Sequence, residues 1–218
     1  MTAFVVAMEN EAAAVMESFS STTEETAFGR RIVRGRVGGA DAVMVVCGVG
    51  KVNAAAGAQL ALARYGADRL VSAGVAGGLR STMRVGETYT GLRAVQYDFD
   101  LAAINGTPVG TLNEYDTPYL PLVPISGFPA DTVATGDNFK DDDADMAFLT
   151  GELDAGIREM ELGAVAHVAL RAGVPVSALK TLTDVHCADV PMTGQYKENL
   201  AIGLAALAKA VKCAFAAV

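Results

Sequence analysis

Residues 3–15 read AFVVAMENEAAAV, an apolar run followed directly by acidic residues and alanines. Ala3–Ala7 is apolar throughout, as a strand buried on both faces is, and Glu11–Ser18 has the composition of a helix. Glu9 and Glu11 stand at the junction, where the helix dipole favours acidic side chains and where they could equally do chemistry. The segment therefore predicts a buried strand that turns into a helix with two carboxylates at its start.

Apolar runs and alanine-rich segments alternate along the rest of the chain. This order predicts an α/β fold, a single-domain three-layer α/β/α structure over residues 1–218 with a central mixed, largely parallel sheet. Thr26–Val37 alternates charged and apolar residues and predicts a half-exposed strand or a hairpin. The other predicted strands are Ala42–Cys47, Arg69–Ala73, Glu87–Val95, Asp131–Ala134 and Val174–Thr181, and the other predicted helices are Val52–Tyr65, Ala144–Leu149, Met160–Ala172 and Tyr196–Ala216.

The composition limits the class of partner. The chain of 218 residues is 51% hydrophobic, contains 23 glycines and carries a formal net charge of −8. This is typical of a well packed α/β protein, and the acidic balance argues against nucleic acid and anionic membranes as partners. The N-terminus lacks the basic region of a signal peptide, and no apolar run is long enough to cross a membrane, so we expect a cytoplasmic protein.

Cysteine and histidine patterns indicate no metal site. Cys47, Cys187 and Cys213 lack C-x-x-C spacing and are expected to be reduced thiols, Cys47 and Cys213 in the core. The two histidines form no zinc-ligand cluster, and KDDDAD at residues 140–145 lacks the glycine and distal glutamate of a calcium loop. We therefore expect no metal and interpret residues 140–145 as a solvated loop that leads into a helix.

Two glycine-rich segments each follow a predicted strand. VVCGVGKVNAAAGA, residues 45–58, places Gly48 and Gly50 before a helix, where free N–H groups could hold an anion or a sugar hydroxyl. It fits neither a P-loop nor a dinucleotide-binding fingerprint. SAGVAGGLRSTMRVGE, residues 72–87, is interpreted as a glycine-rich crossover between strands. Each could be a plain tight turn, but together they would lie at the carboxyl ends of neighbouring strands, where α/β sheets bind ligands.

Two further segments carry acidic side chains. In REMELGAVAHVALRAGV, residues 158–174, Glu159 and Glu161 precede a long apolar helix, and their spacing of two lets only one of them face a site easily. In SALKTLTDVHCADV, residues 177–190, Asp184 falls just past a predicted strand, where it could be a helix N-cap or a catalytic acid. The residues alone leave both interpretations open.

In this order, the segments AMENE, GVGKVNAA, SAGVAGGL followed by VGE, TGDNF, EMELGAVAHV and LTDV resemble the methylthioadenosine/S-adenosylhomocysteine nucleosidases, hydrolases of the purine nucleoside phosphorylase superfamily. The similar segments run from about residue 3 to residue 185. The resemblance implies a nucleoside phosphorylase-like fold. It also implies an enzyme that hydrolyses the N-glycosidic bond of purine nucleosides, methylthioadenosine and S-adenosylhomocysteine among them, to adenine and a thio-ribose without a cofactor.

The resemblance implies roles for individual residues. Glu11 would activate the attacking water, and Asp184 would protonate N7 of the purine as the base departs. Met160 and Glu161 would pack on the ribose and hydrogen-bond its hydroxyls. Phe139 would stack on the base. Glu11, rather than its neighbour on the same helix start, is therefore the expected catalytic glutamate.

The chain departs from the family at three matched positions. Val75 stands where a serine is usual near the ribose, and Lys180 replaces an arginine just before the strand tip that carries the acid. Lys140 follows the stacking aromatic where an apolar residue is usual, and its backbone is expected to read the edge of the base. With Gly77, Val75 and Lys140 complete the predicted substrate-binding set, and Tyr196 is the candidate for covering the base.

The chemistry agrees with this division of roles. N-glycosidic cleavage passes through an oxocarbenium-like sugar, so it needs one carboxyl as acid toward the leaving group and another as base toward water on the opposite face. Asp184 would have to hold a proton, which burial can arrange, and Glu161 would hold the ribose more strongly as positive charge develops. Glu11 would repel phosphate, so hydrolysis is expected rather than phosphorolysis.

Three alternatives remain open from the sequence. They are a nucleoside phosphorylase, a hydrolase of another purine nucleoside such as a futalosine-type intermediate, and a nucleoside-binding protein without activity. The resemblance also implies a homodimer in which a neighbour's loop completes the site. Residues 98–130, a long connection with aromatics and prolines, are the segment expected to make that contact. The expected partners are thus a small-molecule purine nucleoside and a second copy of the chain.

Overall fold

The computed structural model describes residues 1–140, 142–186 and 190–216. Within these ranges a ten-stranded sheet is flanked by helices. The strands are β1 (Thr2–Val6), β2 (Phe19–Ala27), β3 (Arg30–Val37), β4 (Ala40–Val46), β5 (Arg69–Gly78), β6 (Thr88–Gln96), β7 (Leu120–Pro121), β8 (Ala130–Thr135), β9 (Ala155–Glu159) and β10 (Val176–Val185). The helices are α1 (Glu9–Met16), α2 (Lys51–Tyr65), α3 (Ala102–Asn105), α4 (Asp143–Ala147), α5 (Leu162–Ala172) and α6 (Met192–Ala214), with a π-helical segment, Phe148–Glu152, directly after α4.

The sheet is mixed, as predicted. Parallel pairing joins β4, β1, β5 and β10 in that order, and also β6, β8 and β9, whereas β2, β3 and β4 form an antiparallel meander. Antiparallel pairs between β10 and β6 and between β5 and β9 close β5, β10, β6, β8 and β9 into a ring. The sequence did not predict this closure, which brings the ends of β5, β9 and β10 together.

Helices cover both faces of the sheet, so the architecture has the three predicted layers. Helices α2 and α5 pack together on one face, and α1 and α6 pack together on the other. Strand β1 serves both faces, because Ala3 and Val5 belong to the core under α2 and α5, and Phe4 and Val6 to the core under α1 and α6. Its continuous apolar sequence follows from burial on both sides. Among the described residues, no helix is long and apolar enough to cross a membrane.

Strand β5 is longer than predicted. The prediction ended it at Ala73 and interpreted residues 72–87 as a glycine-rich crossover, but the strand runs to Gly78. The interpretation was wrong for residues 72–78 and right for residues 79–87, which connect β5 to β6. Glycine has a low strand propensity, but pairing with β1, β9 and β10 holds the glycines of residues 74–78 in the sheet. Gly74, Gly77 and Gly78 therefore lie in a central strand of the sheet and not in a turn.

Strands β9 and β10 also differ from the prediction. Strand β9, five residues directly before the helical pattern, was not predicted. Strand β10 was expected to end at Thr181 with Asp184 just beyond it, but it continues to Val185 after an irregularity in register between Leu182 and Asp184. Asp184 therefore lies inside the strand, so it is not a helix N-cap.

The remaining local predictions are partly confirmed. Thr26–Val37 forms most of the β2–β3 hairpin, whose turn has Phe28 and Gly29 at positive φ, as two-residue hairpin turns require. The interpretation of residues 140–145 as solvated was wrong for Asp145, because its carboxylate pairs with Arg158 at 3.0 Å and its side chain is only 14% exposed.

Of the cysteines, Cys47 is buried as predicted, whereas Cys213 is exposed, so its assignment to the core was wrong. Cys213 lies near the end of α6, on the side of the helix that faces away from the sheet. Cys187 lies outside the described residues. Within the described ranges, no group of three or more His, Cys, Asp or Glu residues is placed to hold a metal ion.

Candidate active site

A cavity of about 230 Å³ opens at the carboxyl ends of β1, β5, β9 and β10. This is the edge of an α/β sheet at which ligands bind. The structure brings eight of the nine residues singled out above for catalysis, substrate contact or cover of the base onto its wall. They are Glu11, Val75, Gly77, Phe139, Met160, Glu161, Asp184 and Tyr196. The ninth, Lys140, is not among the lining residues.

Glu11 is fixed in the cavity wall by backbone N–H groups. It occupies the third position of α1, where its Oε2 accepts from the N–H of Met8 at 3.0 Å, and its Oε1 accepts from the N–H of Val75 at 2.8 Å. Only 3% of the residue is exposed, and this burial raises the pKa of Glu11 above its ordinary value despite the two N–H donors. Glu9 instead pairs with Arg31 on the surface at 2.9 Å, so the two glutamates of the opening segment differ in environment.

Asp184 faces the same cavity from β10. The residue is 1% exposed, and its Oδ1 accepts a hydrogen bond from the hydroxyl of Thr183 at 2.7 Å. In the sheet it stands opposite Gly77 of β5. The two predicted catalytic carboxylates are thus both buried, and they reach the cavity from α1 and from β10.

The glycines of β5 make room for these carboxylates. A Cβ on Gly74 would lie 2.5 Å from Oε1 of Glu11, and a Cβ on Gly77 would lie 2.6 Å from Oδ2 of Asp184. Any larger residue would displace a carboxylate. The two glycines are three residues apart, which is about 10 Å along a strand, so the two carboxylates lie against different parts of β5.

The glycine-rich segment at residues 45–58 holds a carboxylate of the protein itself. Gly48 and Gly50 both have positive φ, and the N–H of Gly50 donates to Oε1 of Glu161 at 2.8 Å. Burial, followed by repulsion from Glu159, raises the pKa of Glu161 to about 7. The free N–H at this helix start therefore positions Glu161 on the cavity wall.

Glu159 and Lys180 form a buried pair that sequence reasoning missed. Only one of the two glutamates around Met160 was expected to face the site, but both line the cavity, because Glu159 ends β9 and Glu161 is already at the start of α5. Glu159 accepts from Nζ of Lys180 at 2.8 Å and from the N–H of Leu162 at 2.8 Å. A signal was available in the sequence, since an uncompensated lysine in an apolar strand requires a buried acidic partner.

A second missed residue, Arg158, forms the wall beside Phe139. Its guanidinium lies 5.6 Å from the centroid of the Phe139 ring, pairs with Asp145 and donates to the backbone carbonyl of Lys140. Phe139 is 44% exposed and makes an edge contact with Tyr196, at 6.1 Å between ring centroids. Lys140 was predicted to contact the base through its backbone, but its carbonyl already accepts a hydrogen bond from Arg158.

Comparison with known proteins identifies the family of the chain. The family model of the phosphorylase superfamily matches residues 2–217. A 5'-methylthioadenosine/S-adenosylhomocysteine nucleosidase of Geobacillus kaustophilus is 30% identical over 196 residues, which cover 84% of this chain and 83% of the relative. The chain belongs to this nucleosidase family of the phosphorylase superfamily. The resemblance seen in the sequence is thereby confirmed for the family.

Several solved structures have the same fold as this chain. A futalosine hydrolase of Helicobacter pylori superimposes with a TM-score of 0.89 at 22% identity, covering 97% of this chain and 95% of the other. A mutant H. pylori nucleosidase with 5'-methylthioadenosine in its active site gives a TM-score of 0.88 at 22% identity, covering 97% and 96%. The predicted nucleoside phosphorylase-like fold is confirmed.

Proposed function

We propose that the protein hydrolyses the N-glycosidic bond of purine nucleosides, with methylthioadenosine and S-adenosylhomocysteine as the first candidates, to a free base and a ribose derivative. The observation that carries the proposal is the pair of buried carboxylates, Glu11 and Asp184, that face one cavity above Gly74 and Gly77. Cleavage of a glycosidic bond through an oxocarbenium-like transition state requires an acid and a base arranged on opposite sides of the sugar.

In the proposed reaction, Glu11 takes a proton from water, whose oxygen forms the new bond to C1' of the ribose. The bond between C1' and N9 breaks, its electron pair passes to the base, and Asp184 delivers a proton to N7. The raised pKa of Glu11 supports a role as proton acceptor, because a more basic carboxylate removes a proton from water more readily. Glu161 and Met160 would contact the ribose, and Phe139 would stack on the base.

The charge of the site favours water over phosphate as the attacking group. Glu11, Glu159 and Glu161 all line the cavity, and they would repel a phosphate ion near the sugar. The cation among the lining residues is Arg158. Arg158 and Asp184 flank Gly77, and this part of the cavity is the one proposed for the base. A phosphorylase would need cationic groups on the sugar side instead.

Chromatographic detection of free base tests the proposal. Methylthioadenosine, S-adenosylhomocysteine, adenosine and inosine are incubated with the enzyme in the presence and absence of phosphate. We expect base release that does not depend on phosphate. Release only with phosphate would make the protein a phosphorylase, and tight nucleoside binding without any release would make it a binding protein.

We further propose that two copies of the chain form a homodimer. Val52 at the start of α2 is 80% exposed, Ile104 on α3 is 82% exposed, and Val49 at the cavity is 48% exposed. An ion pair between Lys51 and Asp98 ties the connection that carries α3 to the start of α2. Exposed apolar side chains near a cavity mouth support an interface there. Light scattering should give twice the chain mass of 22.5 kDa, and a fully active monomer would contradict the proposal.

A further inference from the structure

Arg158 and Asp184 stand in one row of the sheet with Gly77 between them. Strand β9 pairs Arg158 with Gly77, and strand β10 pairs Asp184 with the same glycine. Side chains of paired residues project to the same face, and a strand spacing of about 4.8 Å places the Cα atoms of Arg158 and Asp184 about 10 Å apart. Arg158, Gly77 and Asp184 all line the cavity, and above Gly77 lie Oδ2 of Asp184 and Cε of Met192.

One edge of a purine base carries two groups that Asp184 and Arg158 could contact together. N7 and the substituent at C6 lie on the same edge of a purine. A 6-oxopurine presents two acceptors there, N7 and O6, whereas a 6-aminopurine presents one acceptor and one donor. A base whose N7 faces Asp184 and whose C6 lies on the β9 side of N7 directs its 6-substituent along the row of paired residues, toward Arg158.

The acceptor oxygens beside Arg158 each accept a hydrogen bond from the protein, and the guanidinium of Arg158 has further donors. The carboxylate of Asp145 and the carbonyl of Lys140 both accept from the Arg158 guanidinium, and Oδ1 of Asn138 accepts from the hydroxyl of Tyr97 at 3.0 Å. A guanidinium has five N–H donors, so Arg158 retains donors beyond these two contacts. Its side chain is 5% exposed, and a desolvated cation interacts strongly with an acceptor.

We propose that Arg158 is a specificity-determining residue that donates to O6 of a 6-oxopurine base. The enzyme then cleaves 6-oxopurine nucleosides at least as efficiently as the matching 6-aminopurine nucleosides. As the bond between C1' and N9 breaks, electron density moves onto the base and its O6, and the guanidinium stabilises that charge while Asp184 protonates N7. This inference rests on the proposed function and concerns only the base that the hydrolase prefers.

The experiment compares kcat/KM for 5'-methylthioinosine and 5'-methylthioadenosine, which differ only at C6. For the wild type, we expect a ratio of 6-oxo to 6-amino substrate of about 1 or more. Arg158→Met should lower that ratio by about tenfold or more, because O6 loses its donor, and Arg158→Lys should lower it less. If Arg158 only anchored α4 through Asp145, its replacement would reduce both substrates equally and leave the ratio unchanged, which would overturn the inference.

A matched control and a measurement on the wild type complete the test. Asp145→Asn removes the carboxylate partner but keeps Arg158, so the ratio should stay at 1 or above. Competition by hypoxanthine and adenine against the wild type tests the same preference even if Arg158→Met does not fold. Efficient cleavage of 5'-methylthioadenosine with cleavage of 5'-methylthioinosine at least about tenfold poorer overturns the inference and leaves the hydrolase intact. Cleavage of neither nucleoside would contradict the proposed function itself, and the inference with it.

Discussion

Nζ of Lys180 lies 2.8 Å from Oε2 of Glu159, and the two side chains are 3% and 2% exposed. Burial by itself lowers the pKa of Lys180, but attraction by Glu159, Glu161 and Glu11 outweighs it, and the net shift is upward. Lys180 is therefore held as a cation inside a group of carboxylates. It offsets part of the negative charge that the cavity wall would otherwise carry.

Loss of this cation should destabilise the protein. Lys180→Met leaves Glu159 buried without its partner, and we expect the free energy of unfolding to fall by about 3–5 kcal/mol. Denaturant titration measures the change. Lys209→Met, on an exposed part of α6, is the control and should change stability by less than about 0.5 kcal/mol. The double variant Lys180→Met/Glu159→Gln should recover part of the loss, and equal effects of Lys180→Met and Lys209→Met would contradict this interpretation.

The missing side chain at Gly74 should matter for turnover. Gly74→Ala places a Cβ 2.5 Å from Oε1 of Glu11, so the carboxylate must move. A displacement of about 1 Å at a reacting group can reduce kcat about 100-fold, and we expect KM to change little. Steady-state kinetics on methylthioadenosine measure both constants. Gly151→Ala, which meets no atom within 4 Å, is the control and should behave as the wild type. Normal kcat in Gly74→Ala would show that Glu11 has no fixed position in catalysis.

The raised pKa of Glu161 predicts how stability depends on pH. In the folded protein this pKa is about 7, above that of an exposed glutamate, so folding favours the protonated carboxyl. The stability that this group contributes is complete at low pH and is lost as the pH rises from about 4.5 to about 7. Compared with the wild type, Glu161→Gln should lose stability less steeply over this range.

Thermal denaturation of both proteins from pH 4 to pH 8 gives the difference in unfolding free energy at each pH. That difference should shift in favour of Glu161→Gln as the pH rises to about 7 and then stay constant. A difference that does not vary with pH would show that Glu161 has an ordinary pKa in the folded state.

The sequence was sufficient to predict the layers of the fold, and the carboxylates of Glu11 and Asp184 that it singled out line one cavity. The uninterrupted apolar sequence Ala3–Val6 predicts a strand that is covered on both faces. In the structure its alternate residues lie in two cores, each under a pair of helices. The ring formed by β5, β10, β6, β8 and β9 was not predictable, since it depends on antiparallel pairs of two or three residues between strands far apart in sequence. Such short contacts leave no periodic signal in a sequence.

The parts of the site that were missed depend on tertiary pairing. The glycines of β5 resemble a turn locally, and only the carboxylates of Glu11 and Asp184 above Gly74 and Gly77 explain why glycine is needed in a central strand. Arg158 gave no local signal either. Its place at the cavity follows from the pairing of β9 with β5, and β9 itself was not predicted.

The central claim, that Asp184 is the acid and Glu11 the base, is tested most directly with two substrates. Methylthioadenosine needs a proton on its leaving base, whereas p-nitrophenyl β-D-ribofuranoside releases a stable anion without one. We expect Asp184→Asn to lose about 10²–10⁴-fold in kcat on methylthioadenosine and to keep most of its activity on the nitrophenyl riboside. Glu11→Gln should lose activity on both substrates. Equal losses on both substrates in Asp184→Asn, or normal turnover of methylthioadenosine, would contradict the assignment of the acid.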